Sequence, residues 1–144
     1  MVSLATRWRR SARWHCVLPE FFFDRGLGKS VARELRDLDW VIHQITDHFP
    51  RDAQDVPDEE WTEYGLARGW VPLCKDSRIR GRDVEREPVE RYEAVLFYLD
   101  NQQLLIKDMV TRIHQAQRHI HRAIDRGGPA LYAIGANGIR KTWP

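Results

Sequence analysis

Hydrophobic residues in this chain fall into short dense runs separated by segments with a helical period. Glu20-Phe21-Phe22-Phe23-Asp24 is an apolar run closed by an acid, and Trp40 to Ile45 is a second run. Trp70-Val71-Pro72-Leu73-Cys74-Lys75-Asp76 is a third, again closed by an acid, and Ala94 to Leu99 is a fourth. Such runs, rich in aromatic and β-branched side chains, predict buried strands over 20–24, 40–45, 70–75 and 94–99. After the turn Gly26-Leu27-Gly28, Val31, Leu35 and Leu38 share one face of a helix over about 29–38. Asp58 to Arg68 predicts a second helix behind Pro57. A long helix is expected over about 103–125, with Met109, Ile113, Ala116, Ile120 and Ala123 as its apolar stripe, ending before Gly127-Gly128-Pro129. Ala130 to Ile134 reads as a last strand, with Ile139 to Trp143 as a short edge. The highly charged stretch 77–91 is expected to be an exposed excursion.

Strands alternating with helices predict an α/β fold, with a central, mainly parallel sheet of four to five strands covered on both faces. At 144 residues the chain suits one domain and can bury a substantial core. Residues 1–19 read as a basic arm, with Arg7, Arg9, Arg10 and Arg13 and no acid before Glu20. No stretch reaches the ~18 apolar residues of a membrane helix, and the N-terminus lacks the order of a secretory signal, so a cytoplasmic location is the expectation. Cys16 and Cys74 form neither a disulfide framework nor a zinc pattern.

The net charge of +2 conceals an acidic segment. Asp47, Asp52, Asp55, Asp58, Glu59, Glu60 and Glu63 are opposed within 47–63 only by Arg51. Asp24 and Asp76 end hydrophobic strands, and Asp58 opens the helix before the second of them. Ligands of parallel sheets bind at the carboxyl ends of the strands. Two carboxylates on that edge and a third at a neighbouring helix start would converge on a hard cation such as Mg²⁺ or Mn²⁺. Each acid also has a plainer reading. Asp58 suits a helix N-cap, and Asp24 and Asp76 suit strand-ending turns. The functional reading rests on their coincidence.

Other motifs carry less. Gly26-Leu27-Gly28-Lys29-Ser30 resembles a phosphate loop, but the first glycine that loop requires falls at Phe23, inside the strand. His114, His119 and His121 lack the i, i+4 spacing and the glutamate of a metalloprotease helix. Arg78, Arg80 and Arg82 read either as a solvated loop or as a basic lip able to hold a polynucleotide backbone. Trp8, Trp14 and Trp143 are candidates for base stacking, although tryptophan more often packs.

From Asp58 to Asp76 the chain resembles the C-terminal signature of PIN-domain nucleases: an aspartate opening a helix, a glycine closing it at Gly69, a short hydrophobic strand and a second aspartate. Phe21-Phe22-Phe23-Asp24 is similar to the first strand of that family. Size and basic character resemble the VapC-type toxins of toxin–antitoxin pairs. The resemblance implies a PIN-like three-layer α/β/α domain over 20–144 that hydrolyses RNA with Mg²⁺ or Mn²⁺. Asp24, Asp58 and Asp76 would be its catalytic and metal-binding acids. It also implies a cognate antitoxin, leaves a homodimer open, and offers Arg25, Lys29, Arg78 and Arg80 as RNA contacts. The family's second acid has no clean counterpart, with Glu59, Glu60, Asp55 and Glu34 as substitutes. The rival expectation is a non-catalytic PIN-like module that binds a protein or nucleic acid.

Overall fold

The computed structural model describes Leu4 and residues 18–51, 55–75 and 83–144. Strands Glu20–Phe23 (β1), Val41–Gln44 (β2), Val71–Cys74 (β3), Val95–Leu99 (β4), Ala130–Gly135 (β5) and Gly138–Trp143 (β6) form one sheet in the order β2-β1-β3-β4-β5-β6. The first five are parallel, and β6 returns antiparallel along β5. The edge expected over Ile139 to Trp143 is β6, one residue longer at its start, and it brings the described sheet to six strands.

Among the described residues these helices cover the sheet: Gly28–Arg36 (α1), Asp58–Ala67 (α2), Asp83–Tyr92 (α3), Ile106–Gln115 (α4) and Gln117–Arg126 (α5). The alternation within Phe21-Phe22-Phe23 sorts them into layers, since successive strand side chains point to opposite faces. Phe21 and Phe23 join Val31 and Leu35 of α1, Ile113 of α4 and Ile120 of α5 in one core cluster. Phe22 joins Trp61 of α2 and Val89 of α3 in a second. All three phenylalanines are at most 1% exposed, and burying each contributes about 1.5–3 kcal/mol.

Two expectations about helices are corrected. The stretch 77–91 contains α3, which is packed against the sheet and α2. Its buried positions Glu85, Pro88, Val89 and Tyr92 have helical spacing, but an acid and a proline occupy two of them, which hides the apolar period. Arg91 and Tyr92 bond Glu63 of α2 at 2.6 and 3.0 Å and tie the two helices together. The long helix is two helices, starting at Ile106 rather than at residue 103. They meet at Ala116 (φ −86°, ψ 0°), whose N–H is shared between the carbonyls of Arg112 and Ile113. The apolar stripe runs through the break, so hydrophobic periodicity does not register it.

The chain leaves β1 for β2 on one side, then crosses back to place β3 on the other side of β1. This reversal opens a crevice at the carboxyl ends of β1 and β3.

Candidate active site at the carboxyl edge of the sheet

Asp24 sits at that crevice. It is extended (φ −76°, ψ 171°) and leads into a 3-10 turn, Arg25–Leu27. Its N–H donates to the Leu73 carbonyl at 3.2 Å, so β1 stays tied to β3 up to the acid. Its half-buried carboxylate folds back over the turn. A Cβ added to Gly26 would lie 3.3 Å from Asp24 Oδ1 and 3.4 Å from Lys75 Cβ. Lys75, just past the end of β3, therefore lies beside the Asp24 turn. Asp76, Arg78 and Arg80 themselves lie outside the described residues, as do Trp8 and Trp14.

Asp58 is the first residue of α2. Helix α2 feeds β3 through a turn at Gly69 (φ +79°), closed by the Trp70 N–H to the Gly65 carbonyl at 2.9 Å. It therefore runs antiparallel to β3. Its ten residues, at about 1.5 Å each, bring Asp58 back toward the carboxyl edge. The capping reading of Asp58 is corrected. The cap position is Pro57, and no side chain caps the helix. The Asp58 carboxylate instead accepts the indole N–H of Trp61 at 3.0 Å, from a ring only 2% exposed. Glu59, half-buried, and Glu60, exposed, complete the acidic first turn. Among the described residues no group of three or more His, Cys, Asp or Glu side chains is gathered closely enough to hold a metal ion.

Arg25 and Lys29 do come together with Asp24. With Gly28, Gln44 and Thr46 they line a cavity of about 210 Å³. Thr46 Oγ1 is buried there without a hydrogen-bond partner among the described residues, a cost that a polar ligand would remove. Nothing in the sequence pointed to Thr46. Sequence reasoning also passed over Asp100, although it ends the run Ala94–Leu99 just as Asp24 ends its own run. Asp100 follows β4 on the same edge and is held by Arg112 at 3.0 Å and Arg140 at 3.3 Å. Trp143, a stacking candidate, instead packs against the second core cluster with the Arg86 guanidinium 5.1 Å from its ring.

Beside the crevice, His43 stacks on Trp70 at 3.8 Å, and His48 Nδ1 lies 3.0 Å from the Tyr64 hydroxyl. Burial, then His43 and Arg68, hold the His48 pKa below its ordinary value against an opposing pull from Asp47. Burial likewise lowers His121, with Asp125 opposing. Both rings bind protons more weakly in the folded than in the unfolded chain. The unfolded state therefore takes up more protons as pH falls below about 6.5, and stability declines in that window. Above about pH 7 both states are neutral at these rings and the contribution is flat. The melting temperature should fall between pH 7.5 and 5.5, and His48→Gln should reduce that fall. An undiminished fall in the variant would assign the effect elsewhere.

A half-buried strand-end aspartate at the switch point of a mainly parallel α/β/α sheet, with an aspartate opening the helix that leads into the neighbouring strand, is the arrangement of a PIN-like domain. The PIN like domain family matches residues 19–101, and the chain belongs to it. A Mycobacterium tuberculosis protein provisionally named ribonuclease VapC45 is 31% identical over 124 residues, covering 85% of this chain and 90% of that protein. No solved structure matches the chain. Among the described residues, no helix is long and apolar enough to cross a membrane.

Proposed function

We propose that the protein is a metal-dependent endoribonuclease acting in the cytoplasm as the toxin of a type II toxin–antitoxin pair, with a cognate antitoxin as its protein partner. One observation carries the reading. Asp24, at the carboxyl end of β1, shares a cavity with two cations, Arg25 and Lys29, and with a buried threonine oxygen that has no partner among the described residues. The named relative, which spans most of both chains, supports the ribonuclease assignment.

The donor set fits a hard divalent cation. The oxygens that line the crevice are the Asp24 carboxylate, the Gln44 amide and the Thr46 hydroxyl, the chemistry Mg²⁺ and Mn²⁺ prefer, with Arg25 and Lys29 beside them. Asp24, Asp58 and Asp76 would hold the ion, with Glu59 or Glu60 as a further acid. A cation bound there supplies the charge that makes water nucleophilic near neutral pH and neutralises the leaving oxygen. The chain's own residues do the rest. Asp24 is fixed by its backbone bond to Leu73, so its carboxylate is placed before substrate arrives. Trp61 holds Asp58 Oδ1 through the indole N–H and restricts that carboxylate, as outer-shell partners do for metal ligands. Arg25 and Lys29, both exposed, present charge to the phosphates on either side of the scissile bond. Arg78 and Arg80 would extend this lip.

The test is direct. Purified protein should cleave single-stranded RNA with Mg²⁺ or Mn²⁺, and EDTA should stop it. The same ions should raise the melting temperature of the free protein, by about 2.7 kcal/mol of added stability at a hundredfold excess over Kd. Cleavage that persists in EDTA would refute the metal-dependent mechanism.

A further inference from the structure

The C-terminal third of the chain, beyond the matched stretch 19–101, builds a second feature of a different charge. Helix α5 lies against the β5–β6 hairpin, and the space between them forms two adjoining cavities. One, of about 260 Å³, is lined by Arg112, His119 and the hairpin residues Gly135–Gly138. The other, of about 420 Å³, is lined by His119, Arg122, Arg126, Tyr132, Ile139 and Lys141. His119 lines both, so they make one trough. Among the described residues no acid lines either part. Arg112 is neutralised by Asp100, whereas Arg122, Arg126 and Lys141 form no ion pair among the described residues. Asp125, the acid of α5, is not part of the lining.

Edge strands are often blunted by charge. That accounts for Arg140 and Lys141 on β6. It does not account for Arg122 and Arg126, which come from a different element and line the same cavity. These two arginines are one turn apart, about 6 Å along the helix at about 1.5 Å per residue, and Lys141 faces them across the trough. A row of unpaired cations with no counter-charge suits a repeating anion better than a single carboxylate.

The trough also has a direction. Its hairpin mouth lies where β5 ends, on the same edge as Asp24, because β1 and β5 run parallel. Three strand spacings of about 4.8 Å put the mouth roughly 15 Å from the end of β1. A single strand of RNA crosses that distance in a few nucleotides.

We infer that the trough between α5 and β6 is a second binding site for the phosphodiester backbone of RNA, holding the flank of a strand whose scissile bond lies at Asp24. The placement of the scissile bond rests on the ribonuclease reading; the binding of RNA does not. Arg122, Arg126 and Lys141 contact successive phosphates, while the Tyr132 ring and Ile139 form the apolar wall. The site reads charge and not sequence, so it raises affinity for long RNAs without choosing among them.

The experiment compares Arg122→Glu with Arg126→Glu, made together, against a charge-matched control, Arg33→Glu with Lys107→Glu, on exposed positions of α1 and α4 outside every cavity described. Binding of a 20-nucleotide single-stranded RNA is followed by fluorescence anisotropy in EDTA, which separates binding from cleavage. The trough variant should lose at least tenfold in affinity. Its log–log salt slope should flatten by about 0.7 for each phosphate that the protein no longer neutralises. The control should stay within about threefold of the wild type. In cleavage assays the trough variant should show a raised KM and unchanged kcat on the long RNA, and neither should change on a dinucleotide, which is too short to reach the trough. Equal losses in the two variants would overturn the proposal, as would an unchanged salt slope, absence of RNA binding by the wild type, or loss of binding to polyglutamate instead of RNA. A protein that binds RNA through the trough yet never cleaves it would overturn the ribonuclease reading and leave this one standing.

Discussion

Asp24→Asn should yield a folded protein that binds RNA and cleaves it at least about 100-fold more slowly. The fold should survive, because the backbone bonds of Asp24 are kept in the variant: its N–H donates to the Leu73 carbonyl and its carbonyl accepts the Leu27 N–H. Asparagine keeps the shape of the side chain and its half-buried setting, and it removes the charge and exchanges one acceptor oxygen for an NH2 donor. The rate estimate follows from metal sites in which loss of a mere outer-shell partner costs about 10–100-fold, so a direct ligand should cost no less. RNA affinity measured in EDTA should hold or rise, since a negative charge beside the phosphates has gone. The metal-induced rise in melting temperature should largely disappear. Asp76→Asn should behave alike. Cleavage by the Asp24 variant at the wild-type rate would remove Asp24 from the reaction and, with it, the assignment of the crevice.

The crevice was legible because its main cues are local. A run of three phenylalanines closed by an acid, or a proline–aspartate step before an amphipathic stretch, can be read without knowing what packs where. From these cues come β1, α2 and β3, and their parallel pairing puts the ends of β1 and β3 side by side. What was not legible depends on tertiary placement. Helix α3 hides because Glu85 and Pro88 occupy two of its four buried positions. The break at Ala116 leaves no glycine or proline to mark it, and the stripe from Ile113 to Ile120 passes through unbroken. Thr46 matters only because β2 lies beside β1. Asp58 looked like a cap because an acid at a helix start usually is one. The structure gives its carboxylate to Trp61 three residues on, a choice set by the depth of that ring in the core. The trough of α5 and β6 is the extreme case, since Lys141 meets Arg122 and Arg126 only after the hairpin has folded.

Gly65→Ala should destabilise the protein by about 2 kcal/mol, although helix propensity alone favours the change by about 1 kcal/mol. Gly65 lies inside α2, where a glycine has no propensity reason to be. A Cβ there would lie 2.6 Å from Phe22 Cδ2 and 3.2 Å from Phe22 Cγ. Phe22 cannot yield, because it is fully buried and hemmed in by the rings of Trp70 at 5.2 Å and of Trp61, Tyr64 and His48, each at 5.8 Å. Overpacking of this kind costs about 1–3 kcal/mol, and an approach so short against a ring held on every side belongs at the upper end. The clash therefore outweighs the propensity. Relief can come only from α2 lifting off the sheet, and α2 carries Asp58 while Phe22 sits two residues before Asp24. A shift of about 1 Å between reacting groups can cost about 100-fold in rate, so the folded fraction of the variant should also cleave poorly. Urea unfolding gives the stability change, and Phe22→Ala supplies the control. In that background the closest clashing atoms, Cγ and Cδ2, are gone, so Gly65→Ala should become neutral or stabilising, a coupling that a double-mutant cycle reads directly. A stabilised single variant, or the same destabilisation in both backgrounds, would show that Gly65 does not set the separation of α2 from β1.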